Sequence, residues 1–312
     1  MSAAPLVVWQ LSDGRRGHER QVEGLLAALA ERVTIAPHRV ALHGGRATQF
    51  LHWLRGRSPE RAALPAPRLV VGVGSRTEFA LLAARRAHGG APRCRAVYLM
   101  RPGLPLRCFD ACIVPRHDGL AACANVIASE GTLSPMRPAV ARDETLGVIL
   151  LGGPSAHHAW DSAAVARQVE RIVSAAPALR WQVSDSRRSP ADLLPALRAR
   201  LPADVVTLVP FATCAPTWLP ATLAQAAVAW VSADSVAMLY EALSAGARLG
   251  VIDVPARRAD RITTIAPALI ARGWAAPVGA AAPAGVVLAE AARCADALLA
   301  RWPDLRHGTT RA

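Results

Sequence analysis

The sequence predicts an α/β chain of two doubly wound domains, each on a parallel sheet. Three observations lead there. Short apolar runs alternate with stretches of helical period along the whole chain, the pattern of βαβ units. The runs end again and again in polar, glycine-bearing loops, as strands do at the ligand-binding edge of an open parallel sheet. The 312 residues are too many for an ordinary single domain, and a composition 52% hydrophobic supplies two cores. The domains are expected at residues 1–142 and 143–312. Residues 131–144, with two prolines, mixed charge and no periodicity, form the linker.

The elements follow in order. Residues 6–11 form an apolar strand, 12–18 a glycine-bearing loop, and 19–32 an amphipathic helix with Leu25, Leu26 and Leu29 on its buried face. Further strands are expected at 35–40, 68–73, 95–100, 111–114 and 125–129, with helices at 48–55 and 78–86. The second half restarts the pattern. Its strands are 146–151, 179–183, 205–209, 229–232 and 249–252; its helices are 162–176, 191–200, 218–225, 236–244, 259–272 and 286–301. Gly246 is the natural residue to end the 236–244 helix with φ > 0.

Composition narrows the class. No run of about 18 apolar residues occurs, which predicts no transmembrane helix. No basic segment precedes residues 5–11, so no signal peptide is expected and the protein is read as cytoplasmic. The six cysteines form no CxxC pair and no paired histidine spacing accompanies them, which predicts buried reduced thiols and no metal site. The net charge is +13, and every basic residue other than histidine is arginine. Residues 1–142 carry 20 arginines against 9 acids; residues 143–312 carry 16 against 14. The basic excess of the first half suits an anionic membrane surface or an acidic acceptor. Without aromatic interleaving it does not suggest nucleic acid. A merely solvated basic surface is the alternative.

Candidate site residues fall on the strand ends. In the first half, Asp13, Gly17 and His18 lie in and after the first loop, where a strand, a glycine loop and a helix present backbone amides to an anion. His18, carrying the side chain that exchanges protons near neutral pH, is a candidate base, and so is Asp13. Ser75 and Arg76 follow the glycines at 72 and 74. That loop resembles a dinucleotide fingerprint, but Thr77 replaces its third glycine and no acid lies about 20 residues on, so NAD binding is rejected. Arg101, His117 and Asp118 close the next two strands. In the second half, Gly152, Gly153 and Ser155 form a turn that suits a phosphate or serves only as a turn. Ser184, Arg187 and Arg188 follow the next strand, and forked arginines suit a diphosphate. Ser232, Asp234 and Ser235 stand where a helix starts, either of the last two able to cap it. Asp234, Met238 and Glu241 share one helix face. Glu241 is read as accepting hydrogen bonds from two sugar hydroxyls, or as a solvated side chain.

The motifs WQLSDGRRGHERQVEGLLAAL, VVGVGSR, YLMRP, FDACIVPRHDG, VILLGGPS, SDSRRSP and SADSVAMLYEA occur in this order. On them the chain, from about Val7 to Val254, resembles the mitochondrial-fission (elongated-mitochondria) family of plants and bacteria, described as glycosyltransferases of GT-B type. The resemblance implies two Rossmann-like domains facing across a cleft, with the last helix crossing back to the first domain. The segment 234–241 is also similar to the donor site of the lipid-intermediate N-acetylglucosaminyltransferases of peptidoglycan synthesis, which implies that Glu241 holds a ribose and the preceding loop a diphosphate. The expected function is metal-independent transfer of a sugar from a nucleotide-diphospho-sugar, with no other cofactor, to an envelope glycan or lipid-linked acceptor at the inner membrane face. The rivals are a nucleotide-sugar 2-epimerase and a non-catalytic membrane-associated scaffold. The chain departs from the family at Gly246-Ala247-Arg248, at Ala215–Thr217 and at Ser189-Pro190.

Overall fold

The structure is a computed structural model and describes residues 4–42, 44–58, 63–120 and 123–307. The chain divides into two compact units, Met1–Pro135 with Ala289–Ala312, and Met136–Leu288.

The first unit runs β1 (Leu6–Ser12), α1 (Arg16–Ala30), β2 (Ile35–Ala41), α2 (Arg46–Leu54), β3 (Leu69–Val73), α3 (Glu78–Ala87), β4 (Arg95–Leu99), β5 (Ala111–Pro115) and β6 (Val126–Ser129). The strands form one parallel sheet in the order β2-β1-β3-β4-β5-β6. Period-two alternation gives it a core on each face. Leu6, Val8, Leu69, Val71, Val97 and Leu99 pack against Leu25, Leu26 and Leu29 of α1. Trp9, Leu11, Val70, Ala96 and Tyr98 pack against Leu81 and Leu82 of α3.

The second unit runs β7 (Asp143–Leu150), α4 (Ser162–Ala175), β8 (Arg180–Ser184), α5 (Leu193–Arg198), β9 (Val206–Leu208), α6 (Trp218–Gln225), β10 (Ala226–Ser232), α7 (Val236–Ser244), β11 (Arg248–Ile252), α8 (Ile265–Ala271) and β12 (Ala275–Pro277). Its parallel sheet has the order β9-β8-β7-β10-β11-β12. It too is covered on both faces. Asp161 caps α4, accepting from the Ala163 and Ala164 amides at 2.9 and 3.0 Å. The final helix α9 (Glu290–Arg301) belongs to the first unit, where Cys294, Leu298 and Leu299 join the α1 core.

Four expectations are corrected. Helix α1 starts at Arg16, not at residue 19. Residues 259–264 are not helical, because the Asp260 carboxylate accepts from the Ile262 and Thr263 amides at 2.8 and 3.1 Å, a local turn that competes with helix. Residues 286–289 are not helical either; Leu288 instead donates its amide to the Leu243 carbonyl at 3.2 Å. Buried thiols hold for Cys94, Cys112 and Cys294, each pushed up to about 12 by burial, whereas Cys123 is exposed and Cys108 and Cys214 are half-buried.

Carboxylates tie down the C-terminal segment. Asp296 takes Arg32 at 2.5 and 2.8 Å, Glu290 accepts the Glu130 amide at 2.8 Å, and Asp304 bridges Arg68 at 2.6 Å and Arg95 at 2.8 Å. Burial pushes Asp304 up, but its hydrogen bond to Arg95 and the charges of Arg95 and Arg68 outweigh it, so its carboxyl sits below the ordinary value. Groups depressed in the folded state stabilise it above their unfolded pKa, and that stability is lost as pH falls through the folded pKa. The urea-unfolding midpoint is therefore expected to fall between about pH 5 and pH 3, and Asp304→Asn to flatten part of that fall. Equal slopes for variant and wild type would overturn it.

Candidate functional site

Both sheets have a topological switch point, where the chain reverses the direction in which it adds strands. In open parallel sheets the ligand crevice lies there, at the carboxyl ends. In the first unit it falls between β1 and β3, and in the second between β7 and β10.

At the first switch point Asp13 and His18 meet. His18 Nδ1 lies 2.9 Å from Asp13 Oδ2, and Asp13 Oδ1 accepts the Arg15 amide at 3.1 Å. The Asp13 side chain is 2% exposed and that of His18 21%. An ionised carboxylate accepts only, so a neutral imidazole bonded to it carries its proton on Nδ1 and presents the Nε2 lone pair. In this pair Asp13 fixes the orientation of the His18 ring. Gly74, at the end of β3, explains its own identity. Its φ is +88°, and a Cβ there would stand 2.7 Å from the His18 ring and 2.8 Å from Asp13 Oδ2. Behind the pair, Ser12 donates to Glu19 at 2.5 Å, and Arg39 also bonds Glu19.

The other first-unit candidates share this edge of the sheet but are not drawn into the pair. Gly17 lies in the first turn of α1. Ser75 and Arg76 are exposed in the loop after β3, and Arg76 donates to the Gly44 carbonyl at 3.4 Å. Arg101, after β4, donates to the Asp118 carbonyl at 3.2 Å, which joins it to the His117–Asp118 turn after β5.

At the second switch point the loops after β7, β8 and β10 are bonded together. The Gly152 amide donates to Ser232 Oγ at 2.8 Å and the Gly153 amide to Asp234 Oδ2 at 3.0 Å. Arg188 donates to the same Asp234 oxygen at 2.7 Å and to the Gly153 carbonyl at 2.7 Å. Ser186 donates to the Gly152 carbonyl at 3.0 Å, and Ser189 also bonds it. A Cβ on Gly152 would collide with the Asp234 carboxylate, which is why no larger residue fits. Ser155 is used within its own turn, accepting from the His157 and His158 amides at 3.2 and 3.0 Å. Ser184 lies in β8, its carbonyl accepting the Leu151 amide at 2.9 Å.

The capping expectation is corrected here. Ser235 occupies the cap position of α7 but its side chain accepts no hydrogen bond there, and Asp234 is turned to Gly153 and Arg188 instead. The two glycine amides, expected to face a phosphate, are occupied by Ser232 and Asp234. What remains for an anion is the first turn of α7, unanswered by a side chain, and the exposed Arg187. Met238 is half-buried against the α7 core, and Glu241 lies buried two turns into the helix.

Sequence reasoning missed His157, His158 and Asp260. His157 Nδ1 lies 2.6 Å from Asp260 Oδ2, and His158 is buried with Nδ1 unpartnered, as is Oδ1 of Asp234. Burial holds His158 below its ordinary value, against the pull of Asp234 and Asp260. The available signal was two adjacent histidines in the loop that starts at Gly152-Gly153. Among the described residues no group of three or more His, Cys, Asp or Glu could hold a metal ion, and no helix is long and apolar enough to cross a membrane.

Solved structures similar to this chain share its fold. The UDP-GlcNAc 2-epimerase from Methanocaldococcus jannaschii has TM-score 0.58 and 11% identity over 94% of this chain and 99% of its own. The S. aureus MnaA–UDP co-structure has TM-score 0.53 and 12% identity over 99% and 90%. The spinosyn forosaminyltransferase SpnP has TM-score 0.53 and 15% identity over 97% and 92%. At such identities the likeness establishes the fold, the GT-B-like architecture of two parallel α/β sheets. No curated protein matches the sequence. The family model described as Mitochondrial fission ELM1 matches residues 16–302, nearly the whole chain, and this protein belongs to that family.

Proposed function

We propose that the chain is a glycosyltransferase that takes a sugar from a nucleotide-diphospho-sugar and passes it to an envelope glycan or lipid-linked acceptor. The observation that carries this reading is the second switch point. There α7 begins without a cap from the Ser235 side chain, next to the Gly153–Asp234–Arg188 cluster, and Arg187, the residue before Arg188, is exposed. A helix N-terminus and a free guanidinium suit a diphosphate. Glu241, two turns along, is the acceptor for the ribose hydroxyls. The similar structures support the same ligand class, since they include a UDP-GlcNAc 2-epimerase, a complex with UDP and a forosaminyltransferase.

In an inverting transfer the acceptor hydroxyl attacks the anomeric carbon, and the bond from that carbon to the diphosphate oxygen breaks. The proton passes to His18 Nε2, held in place by Asp13. The diphosphate leaves with the bonding electrons, its charge met by Arg187 and the α7 amides. This chemistry is met by the chain's own groups and needs no cofactor beyond the donor. The basic first unit takes the acceptor, and an anionic membrane surface suits the same charge.

A 2-epimerase is the second reading, favoured by the epimerase among the similar structures. Melting curves against UDP-, GDP-, ADP- and CMP-sugars test the donor site, because a ligand of the native state raises the melting point. A rise of several degrees at saturation is expected with one nucleotide class. Glu241→Gln is expected to weaken that ligand about tenfold, consistent with lost hydrogen bonds to hydroxyls. No rise with any donor favours a non-catalytic scaffold; donor turnover to an epimer without acceptor favours the epimerase. An unchanged affinity in Glu241→Gln removes the ribose assignment.

A further inference from the structure

We propose that α2 docks the first unit on an anionic lipid bilayer, an inference that does not rest on the sugar chemistry. Ala47, Phe50, Leu51 and Leu54 fall at i, i+3, i+4 and i+7 and so share one face of the helix. Among the described residues that face is left exposed. Phe50 is 39%, Leu51 44% and Leu54 55% exposed, three of the six large apolar side chains exposed among the described residues. Gln49 is buried on another side of the helix.

The exposure is not that of a loose segment. Phe50 packs on Phe79 with ring centroids 5.1 Å apart and on Trp53 at 5.6 Å. Arg46 donates to Glu78 at 2.9 Å and lies 5.4 Å over the Phe79 ring. Arg86 donates to the Trp53 and Leu54 carbonyls at 3.3 and 3.4 Å, closing the C-terminal end. A fixed helix therefore presents an apolar ridge to the outside.

Charge selects the occupant. Arg46, Arg55, Arg57, Arg76 and Arg86 are exposed around the ridge, and residues 44–58 contain no acid. A second copy docking by the same face would set these arginines against one another. An apolar ridge flanked by guanidinium groups matches the interface of an anionic bilayer, where apolar side chains enter the acyl boundary and arginines meet lipid phosphates.

The test uses the full chain, sedimented with vesicles of phosphatidylcholine alone and with about one third phosphatidylglycerol. Binding is expected to the mixed vesicles and to weaken with salt. Phe50→Ser with Leu54→Ser should lower the partition about tenfold. Arg55→Glu with Arg57→Glu should lower it at least as much while melting curves stay as in wild type. Since both pairs alter exposed side chains, either one decides if the other misfolds. Equal binding to both vesicle types, or binding unchanged in a folded variant, overturns the proposal. So does a wild-type dimer that the serine variant splits and that ignores vesicles, which would make a second copy the occupant.

Discussion

His18→Ala is expected to lower the rate of sugar transfer about 10²–10⁴-fold with little change in donor affinity, the range for loss of a positioned general base. The partner variants separate role from mere presence. Asp13→Asn leaves a side chain of the same shape against Nδ1 but no longer holds the same tautomer, so the rate falls while His18 remains. Gly74→Ala is the sharper test. Its methyl group would enter the space of the His18 ring and of Asp13 Oδ2 at a φ of +88° that alanine avoids. It should displace the pair and cost a large part of the His18 effect. Single-turnover rates with donor and acceptor read all three. Full activity in His18→Ala removes the base assignment, and full activity in Gly74→Ala shows that the geometry of the pair is unimportant.

Asp234→Ala is expected to destabilise the second unit by about 2–4 kcal/mol and to abolish the donor-induced rise in melting point. Its carboxylate is fully buried, whereas Arg188 is 41% exposed. Truncation strands the buried Gly153 amide, but Arg188 can turn to water, which keeps the cost below that of a fully buried pair. Asp234→Asn keeps an acceptor for Gly153 and loses only the charge facing Arg188, so it should cost less. Chemical denaturation measures the difference. Equal stability of wild type and Asp234→Ala would mean that this carboxylate does not hold the three loops together.

Much of the architecture was legible because two periods were clear. Alternating or continuous apolar runs marked the strands, and α6 and α7 were placed to the residue at 218–225 and 236–244. β12 was overlooked, since Ala275–Pro277 is three small residues with no apolar pattern. Residues 259–264 were read as helix because the polar competition of Asp260 leaves no mark on a hydrophobic period. In the candidate site the loops were found from their place at strand ends, but their internal wiring was not. Asp234 looked like a cap from its position ahead of an apolar helix. Its choice of Gly153 and Arg188 depends on β7, β8 and β10 being neighbours, a long-range fact that no local spacing carries.

By itself, then, the order of residues determined two parallel α/β sheets, the edges where loops gather and the family to which the chain belongs, because each follows from local periodicity or from ordered motifs. Tertiary structure alone decided which polar groups are spent on one another. Gly153 and Arg188 answer Asp234, Asp13 answers His18, and α7 is left without a side-chain cap. The bond between Gly153 and Asp234, 81 positions apart, is set by strand order and burial, and those are properties of the folded sheet.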